Sequence, residues 1–220
     1  MRYVFKKFIQ ILITYLLLMP SVNAEDIIVF KFTDEELSEM EVRKVRGADA
    51  KTLYSVASNQ EGNYLKAVAE NAASGVGKEV KINLNITPFI NITWKVEKDL
   101  KGIKEDTKKG HDFAARVFVI KKTGATALSN RAINYVFSSN SNVGEAWPSP
   151  YTKKSIDKVL SSTKTDFNQW VTVKANVKED FKKFHDLDVE ELTGLAIMAD
   201  TDNSKLTAVS YYQNIFFSSE

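Results

Sequence analysis

Charged side chains interrupt two of the most apolar stretches of this 220-residue sequence. Asp112 and Arg116 stand four residues apart in the run DFAARVFVIK, and if this run is a strand, both side chains point to one face. An arginine among apolar neighbours is costly to bury unpaired, so it requires a carboxylate partner, for which Asp112 and Asp200 are the obvious choices. The pair indicates either a charged anchor in a ligand groove or a structural ion pair.

A second group of acids follows the apolar run LTGLAIMA. Asp200 and Asp202 share a face two residues apart, and Asn203 adjoins them. Ca²⁺ prefers carboxylate and carbonyl oxygens of this kind as ligands. The spacing differs from that of an EF-hand loop, however, and Asp and Asn at a strand end are also ordinary turn residues. The sequence therefore predicts no cofactor and no dedicated metal site, with structural Ca²⁺ at these acids as the alternative.

An aromatic loop forms the third group. Trp147 and Tyr151 lie in a segment that contains Pro148 and Pro150, and rigid exposed aromatic rings stack well on the apolar faces of sugars. Alternatively, the loop folds back so that Trp147 plugs the end of the fold. Asn134, from the apolar run AINYVFS, adds a polar group on a neighbouring strand. The predicted ligand-binding residues are Asp112, Arg116, Asn134, Trp147, Tyr151, Asp200 and Asp202.

Catalytic signals are weaker in this sequence. Glycoside hydrolysis needs two carboxylates across a cleft, and nothing in the spacing of Asp112, Glu145 and Asp200 pairs them. His111 adjoins a charged loop, and His185 lies in a lysine-rich segment where we expect it to be solvated. The sequence contains no Gly-x-Ser-x-Gly elbow, phosphate loop or His-Glu-x-x-His motif. Lyases can work with Lys, Arg and Tyr, so the sequence leaves enzymatic activity open.

The N-terminus has the pattern of an export signal. Basic residues precede an apolar run at 8–19, and the small residues Val22 and Ala24 stand just before Glu25. This pattern predicts a cleaved signal peptide at 1–24, and the run is too short to span a membrane comfortably. We therefore expect a periplasmic or secreted bacterial protein that has no membrane attachment after cleavage.

Composition narrows the possible partners. The chain is 44% hydrophobic and 26% charged, which is typical of globular proteins. Its 30 basic and 28 acidic residues become 27 and 28 without the leader, so the mature chain is nearly neutral and does not favour nucleic acid as a partner. The absence of cysteine excludes disulfides, zinc–thiolate sites and thiol catalysis. The oligomeric state is left open.

Hydrophobic patterning predicts an all-β fold. Segment 89–97 alternates apolar and polar residues with the period of a half-buried strand, and roughly a dozen such segments are separated by turn residues. The 178–186 segment has an amphipathic helical pattern. Segments 194–200 and 206–217 are expected to pair as a hairpin. The sequence thus predicts a jelly-roll-like β-sandwich over 25–220, a single domain with one short helix before the C-terminal hairpin.

Several motifs together resemble a known family. They are Trp94, DFAARV at 112–117, NYVF at 134–137, Trp147, and LTGLAIMADTDN at 192–203 followed by Tyr211 and Tyr212. Over 26–217 their order resembles the bacterial exported family called domain of unknown function 3047. His111-Asp112 replaces two acidic residues of the family, which weakens a metal site there, and Phe137 stands where the family often has Trp. The resemblance implies a compact exported β domain similar to carbohydrate-binding jelly rolls and supplies no activity.

These observations favour a non-catalytic domain that binds a glycan or a similar polar ligand. In this interpretation Arg116, Asn134 and Asp200 line the floor of a groove, and Trp147 and Tyr151 flank it. A glycan-active hydrolase or lyase is one alternative. A structural envelope protein, in which the polar cluster only stabilises the fold, is the other.

Overall fold

The computed structural model describes residues 25–126 and 129–220, so the predicted leader at 1–24 lies outside the described part. The strands are β1 Ile27–Ile28, β2 Arg43–Lys44, β3 Leu53–Asn59, β4 Gly62–Glu70, β5 Ala73–Asn83, β6 Phe89–Lys98, β7 Ala115–Lys121, β8 Arg131–Ser138, β9 Ala146–Ser149, β10 Thr152–Ser162, β11 Val171–Asn176, β12 Glu191–Asp200 and β13 Thr207–Ser218. The α-helices are α1 Asp34–Glu39, α2 Thr163–Asp166 and α3 Val177–His185, and Lys108–Gly110 form a 3₁₀ turn.

Two sheets make up the fold. One has six strands in the order β11-β6-β13-β4-β3, with β1 also paired to β13. The other has seven strands in the order β2-β5-β12-β7-β8-β10-β9, in which β8 and β10 are parallel. The apolar inner faces of both sheets contribute to one buried cluster that extends from Val29 to Phe217. The predicted jelly-roll-like β-sandwich is therefore confirmed.

The alternation predicted for β6 is also confirmed. Ile90, Ile92, Trp94 and Val96 are all fully buried, because every second side chain of the strand points into the core. The Trp94 Nε1–H donates to the Ser161 hydroxyl at 2.8 Å, so its only polar atom is satisfied inside the core. In the other sheet, β7 has a central position between β12 and β8.

One tyrosine joins the two layers through hydrogen bonds. Tyr212, on β13, is fully buried, and its hydroxyl accepts from the Arg116 backbone N–H at 3.0 Å. The same hydroxyl donates to the Met198 carbonyl at 2.7 Å. Burial raises the pKa of Tyr212 far above the usual value of a tyrosine, so the hydroxyl keeps its proton. The contact fixes β13 against the ends of β7 and β12.

The helix predicted before the last two strands is confirmed as α3. Asn176 caps its start by accepting from the Glu179 N–H at 3.1 Å, and Asp186 ends it in the left-handed conformation at φ +53°. The Phe181 side chain of this helix is fully buried. His185, expected to be solvated, is partly buried, and its Nε2 contacts the Ala132 carbonyl at 3.0 Å.

The predicted pairing of the last two strands needs a correction. The run at 201–206 is a turn as expected, but β12 belongs to the seven-stranded sheet and β13 to the six-stranded sheet. The turn crosses between layers, and the Thr201 backbone N–H donates to the Ala72 carbonyl at 2.8 Å on the way. Two apolar strands joined by a polar turn give the same sequence pattern in either arrangement.

Two segments with the composition of turns are parts of strands. Gly75 and Gly77 lie within β5, opposite Met198 and Ala196 of β12. The aromatic loop predicted around Trp147 contains β9, which pairs with β10. Glycine and proline usually interrupt strands, but here the glycines allow a close approach of two strands: a Cβ on Gly77 would lie 2.6 Å from the Leu195 carbonyl oxygen.

Candidate functional site

Arg116 and Asp200 form a buried ion pair at the end of the seven-stranded sheet. The Arg116 Nε donates to Asp200 Oδ1 at 3.0 Å, and Nη2 contacts Oδ2, so the pair is bidentate. Their side chains are 4% and 3% exposed. Burial lowers the pKa of Arg116, and the nearby carboxylates of Asp157 and Asp112 oppose that change. A ligand in solvent does not reach these charged groups directly, so this geometry favours the structural ion pair over the anchor.

Asp112 organises the turn that follows β12. It precedes β7 rather than lying on it, and its carboxylate accepts from the Asn203 N–H at 3.2 Å and the Asn203 Nδ2 at 2.9 Å. The Ser204 N–H adds a third hydrogen bond at 2.6 Å. Of the two carboxylates expected to pair with Arg116, Asp200 is therefore the direct partner.

Three carboxylates meet at this end of the sheet. Oxygens of Asp112, Asp200 and Asp202 lie within 4.8 Å of one another. The first two carboxylates are already bound to the turn and to Arg116, whereas the Asp202 carboxylate has a long contact of 3.5 Å from the Asn203 Nδ2 and a hydrogen bond from its own backbone. A Ca²⁺ ion here would compete with hydrogen bonds that the fold already makes. Structural Ca²⁺ remains a prediction.

Removing the charge of Asp202 is expected to stabilise the protein at neutral pH. Burial, and then the charge of Asp112, raise the pKa of Asp202 above its ordinary value of 3.8, so folding disfavours the ionised form. This destabilisation is complete above the raised pKa and disappears below about pH 3.8. We expect Asp202→Asn to raise the free energy of unfolding at pH 7 by up to about 1 kcal/mol.

Urea denaturation at pH 7 and near pH 3 measures this effect. The gain should be present at pH 7 and absent at the lower pH, where the carboxyl is protonated in both the folded and the unfolded protein. An equal gain at both pH values would show that the charge of Asp202 is not the cause.

A polar group beside the ion pair includes a residue that the sequence did not single out. Asp157, on β10, is fully buried, and its carboxylate lies 2.8 Å from His111 Nε2. Asn134 Nδ2 donates to the same carboxylate at 2.5 Å. The one available signal was an acid within the partly apolar strand segment SIDKVLS. The Asn134 side chain, expected in a groove floor, is thus committed to a buried partner.

The two loop aromatics have different environments. Trp147 is half-buried against Phe113, Val136 and Val159, which corresponds to the folded-back alternative. Tyr151 is 56% exposed, and its hydroxyl donates to Asn203 Oδ1 at 2.5 Å. Of the predicted ligand-binding residues, Tyr151 is the most accessible.

The structure gathers the seven predicted residues at one end of the seven-stranded sheet. Asp112, Tyr151, Asp200 and Asp202 surround the turn after β12, and Arg116 binds Asp200. Asn134 connects through Asp157, and Trp147 connects through Phe113. Sequence reasoning therefore found a real spatial cluster. Most of its polar groups, however, are bound to one another.

A groove lies on the outer face of the same sheet, towards the start of β12. Its volume is about 670 Å³. Gly77, Gly194 and Ala196 form part of its floor, and Ile120 borders it. Charged side chains on its walls include Glu36, Arg43, Lys78, Glu79 and Lys122. The Lys78 Nζ lies 2.7 Å from a Glu36 carboxylate oxygen, so part of this wall is an ion pair.

No local sequence pattern predicts this groove, because its floor is assembled across strands. Ala196 faces Gly77 on one side and Phe118 on the other, and Gly194 faces Ile120. Small residues on adjacent strands form a depression where the strand register places them side by side. The sequence alone does not reveal this register. Each glycine alone resembles a turn or a weak point in a strand.

The sequence matches the model of one protein family over most of its length. The model of a family described as a protein of unknown function (DUF3047) matches residues 38–216. The chain belongs to the DUF3047 family. A search of curated proteins returns no match to this DUF3047 sequence.

Solved structures resemble the DUF3047 fold at low sequence identity. The family 30 carbohydrate-binding module of the cellulosomal cellulase Cel9D-Cel44B of Clostridium thermocellum has a TM-score of 0.52 at 10% identity, with 90% of this chain and 99% of that chain covered. The family 11 module of Lic26A-Cel5E from the same organism has a TM-score of 0.43 at 11% identity, covering 82% and 88%. At these identities the likeness concerns the fold alone.

One further comparison is with an enzyme. Endoglucanase 3 of Trichoderma harzianum, from family GH12, has a TM-score of 0.42 at 8% identity, with 91% of this chain and 99% of that chain covered.

Within residues 25–126 and 129–220 of the DUF3047 protein, no helix is long and apolar enough to cross a membrane.

Proposed function

We propose that this DUF3047 protein is an exported, non-catalytic domain that binds a glycan or a similar polar ligand in the groove of the seven-stranded sheet. The groove itself is the observation that carries the proposal. Gly77, Gly194 and Ala196 give a floor without large side chains, on which the flat face of a sugar ring can lie. Charged walls supply hydrogen-bond partners for hydroxyl groups.

The outer face of β7 extends this surface beyond the groove. Ile120, Phe118 and Arg116 follow one another on this face, because every second side chain of a strand points the same way. Phe118 is half-buried and stacks near the Arg116 guanidinium, 5.5 Å from its ring centre. An extended ligand would therefore run from the groove over Phe118 towards the exposed Tyr151. The buried ion pair between Arg116 and Asp200 would hold β7 and β12 in position under the ligand.

Filling the floor of the groove tests the proposal. A Cβ on Gly194 would meet only ordinary contacts, at 3.6 Å and 3.8 Å from Ile120 side-chain atoms, so Gly194→Leu should fold. Its larger side chain would project into the groove. We expect binding to a glycan that the wild-type protein selects from a panel of soluble neutral polysaccharides to weaken about tenfold or more, which corresponds to about 1.4 kcal/mol.

Affinity gel electrophoresis and calorimetry would measure this change. Ser55→Leu is the matched control, because Ser55 is exposed on β3 at the outer face of the other sheet. This control should bind as the wild-type protein does. If Gly194→Leu binds with unchanged affinity, the groove is not the site. If the wild-type protein binds no member of the panel, the proposed function is wrong.

The hydrogen bonds made by the candidate catalytic acids support the non-catalytic part of the proposal. Asp112 and Asp200 each accept several hydrogen bonds from the fold, so neither is free to act as a general acid or a nucleophile. Glu145, the third acid considered, contacts the Asn142 amide at 2.6 Å on the exposed β8–β9 connection. Release of reducing ends or unsaturated products from a bound polysaccharide would contradict this part.

A further inference from the structure

We infer a second binding site, which takes the carboxylate of an acidic polysaccharide, in a lysine-lined pocket beside the β6–β7 loop. The pocket has a volume of about 460 Å³. Lys101, Lys104 and Lys109 border it, together with Asn203 and Ser204 of the turn after β12. It lies at the opposite end of β12 from the groove, and the inference does not depend on the groove.

The charged side chains that line this pocket are of one sign. Among the residues that the structure describes, the lining contains three lysines and no acidic residue. The Asp112 carboxylate adjoins the lining but is already bound to the Asn203 and Ser204 N–H groups. Among residues 25–126 and 129–220, the ion pairs of the protein do not involve Lys101, Lys104 or Lys109. Three like charges around one concave surface raise the local concentration of anions and favour the binding of a negatively charged group.

A buried carboxylate anchors the loop that carries these lysines. Glu105 is 3% exposed and turns inward. It accepts from the Ser139 N–H at 2.8 Å and the Ser141 hydroxyl at 3.1 Å, and it also binds the Ser138 hydroxyl. The centre of the charged loop before His111 is therefore tied to the end of β8. A loop fixed in this way presents its lysines without a large ordering cost on binding.

Close backbone packing completes the pocket. A Cβ on Gly110 would lie 2.5 Å from the Lys104 carbonyl oxygen, so only glycine allows the 3₁₀ turn to approach the loop. The Gly102 N–H donates to Asn140 Oδ1 at 2.7 Å on the other side. These contacts hold Lys104 and Lys109 next to each other on the pocket wall.

The chemistry of the lining points to a sugar acid. Lysine ammonium groups bind carboxylates, and the Ser204 hydroxyl can bind an adjacent sugar hydroxyl, whereas the Asn203 side chain is held by Asp112 and Tyr151. The Asp112 carboxylate fixes the backbone of both residues. A free inorganic anion would use the lysines alone. A uronic acid unit of a polysaccharide would use the lysines and the turn together.

The test uses the mature chain and polygalacturonate, a polymer of carboxylated sugars. The double variant Lys104→Gln/Lys109→Gln should bind it about tenfold or more weakly than the wild-type protein. Wild-type binding should also fall as salt is added, because the interaction is electrostatic and exposed. Lys51→Gln/Lys81→Gln is the matched control, since both lysines are exposed, lie away from the pocket and remove the same charge.

The outcomes separate this site from the groove. Gly194→Leu should keep its affinity for polygalacturonate, whatever its effect on neutral glycans. Equal losses in both lysine double variants would show that only net charge matters and would overturn the proposal. Absence of wild-type binding would overturn it as well. Displacement of the polymer by an equal concentration of inorganic phosphate would assign the pocket to a free anion and reject the acidic polysaccharide.

Discussion

Arg116→Ala is expected to lower the free energy of unfolding by about 3–5 kcal/mol. The change leaves the carboxylate of Asp200, 2% exposed, in the interior without its cation. The Phe113 N–H, at 3.1 Å, would still neutralise part of that charge. Water reaches this position poorly, so most of the cost of burying the charge remains. Urea denaturation at pH 7 measures the loss.

Two further variants test whether the loss of stability comes from the unpaired buried charge of Asp200. Lys122→Ala breaks the exposed ion pair with Glu79, whose side chain is 83% exposed, and should leave the free energy of unfolding almost unchanged. The double variant Arg116→Leu/Asp200→Leu removes both charges and should recover much of the stability that Arg116→Ala loses. If Arg116→Ala is no more harmful than Lys122→Ala, the buried pair does not stabilise this end of the fold.

Glu105→Ala should cost about 3 kcal/mol and loosen the β6–β7 loop. The variant leaves the buried Ser139 N–H and the hydroxyls of Ser138 and Ser141 without their charged acceptor, and unsatisfied buried donors are expensive. We expect the Ser139 amide hydrogen to exchange with solvent much faster, and the affinity for polygalacturonate to fall. Hydrogen exchange and denaturation measure these two effects.

Asp106→Ala is the control for this prediction. Asp106 follows Glu105 directly but is exposed, so the substitution removes the same charge from the loop without breaking an interior contact. It should leave both stability and the exchange of Ser139 nearly unchanged. Comparable losses in both variants would mean that the charge of the loop, rather than its inward anchor, matters.

Local patterns were sufficient to predict the class of fold. Alternation in β6, the amphipathic face of α3, and the turn near Asn203 all follow from neighbouring residues. The need of Arg116 for a carboxylate follows from the cost of burying a charge, and one of the two acids proposed for it was Asp200. These inferences require only short stretches of chain and general energetics.

Other features depend on register between distant segments. The placement of β12 and β13 in opposite layers leaves no mark on either strand. The groove exists because Gly77 and Ala196, far apart in the sequence, face each other across a strand pair. Glu105 looks like one of many charges in a loop until the serines at the end of β8 are brought against it. Only tertiary structure supplies these neighbours.

The position of β13 has a consequence for folding. It follows the other twelve described strands in the sequence, yet it lies between β4 and β6. Until Thr207–Ser218 enter the sheet, both of those strands have a bare edge towards the gap, and bare edges invite pairing with other chains. A chain that lacks this segment would therefore be prone to aggregate.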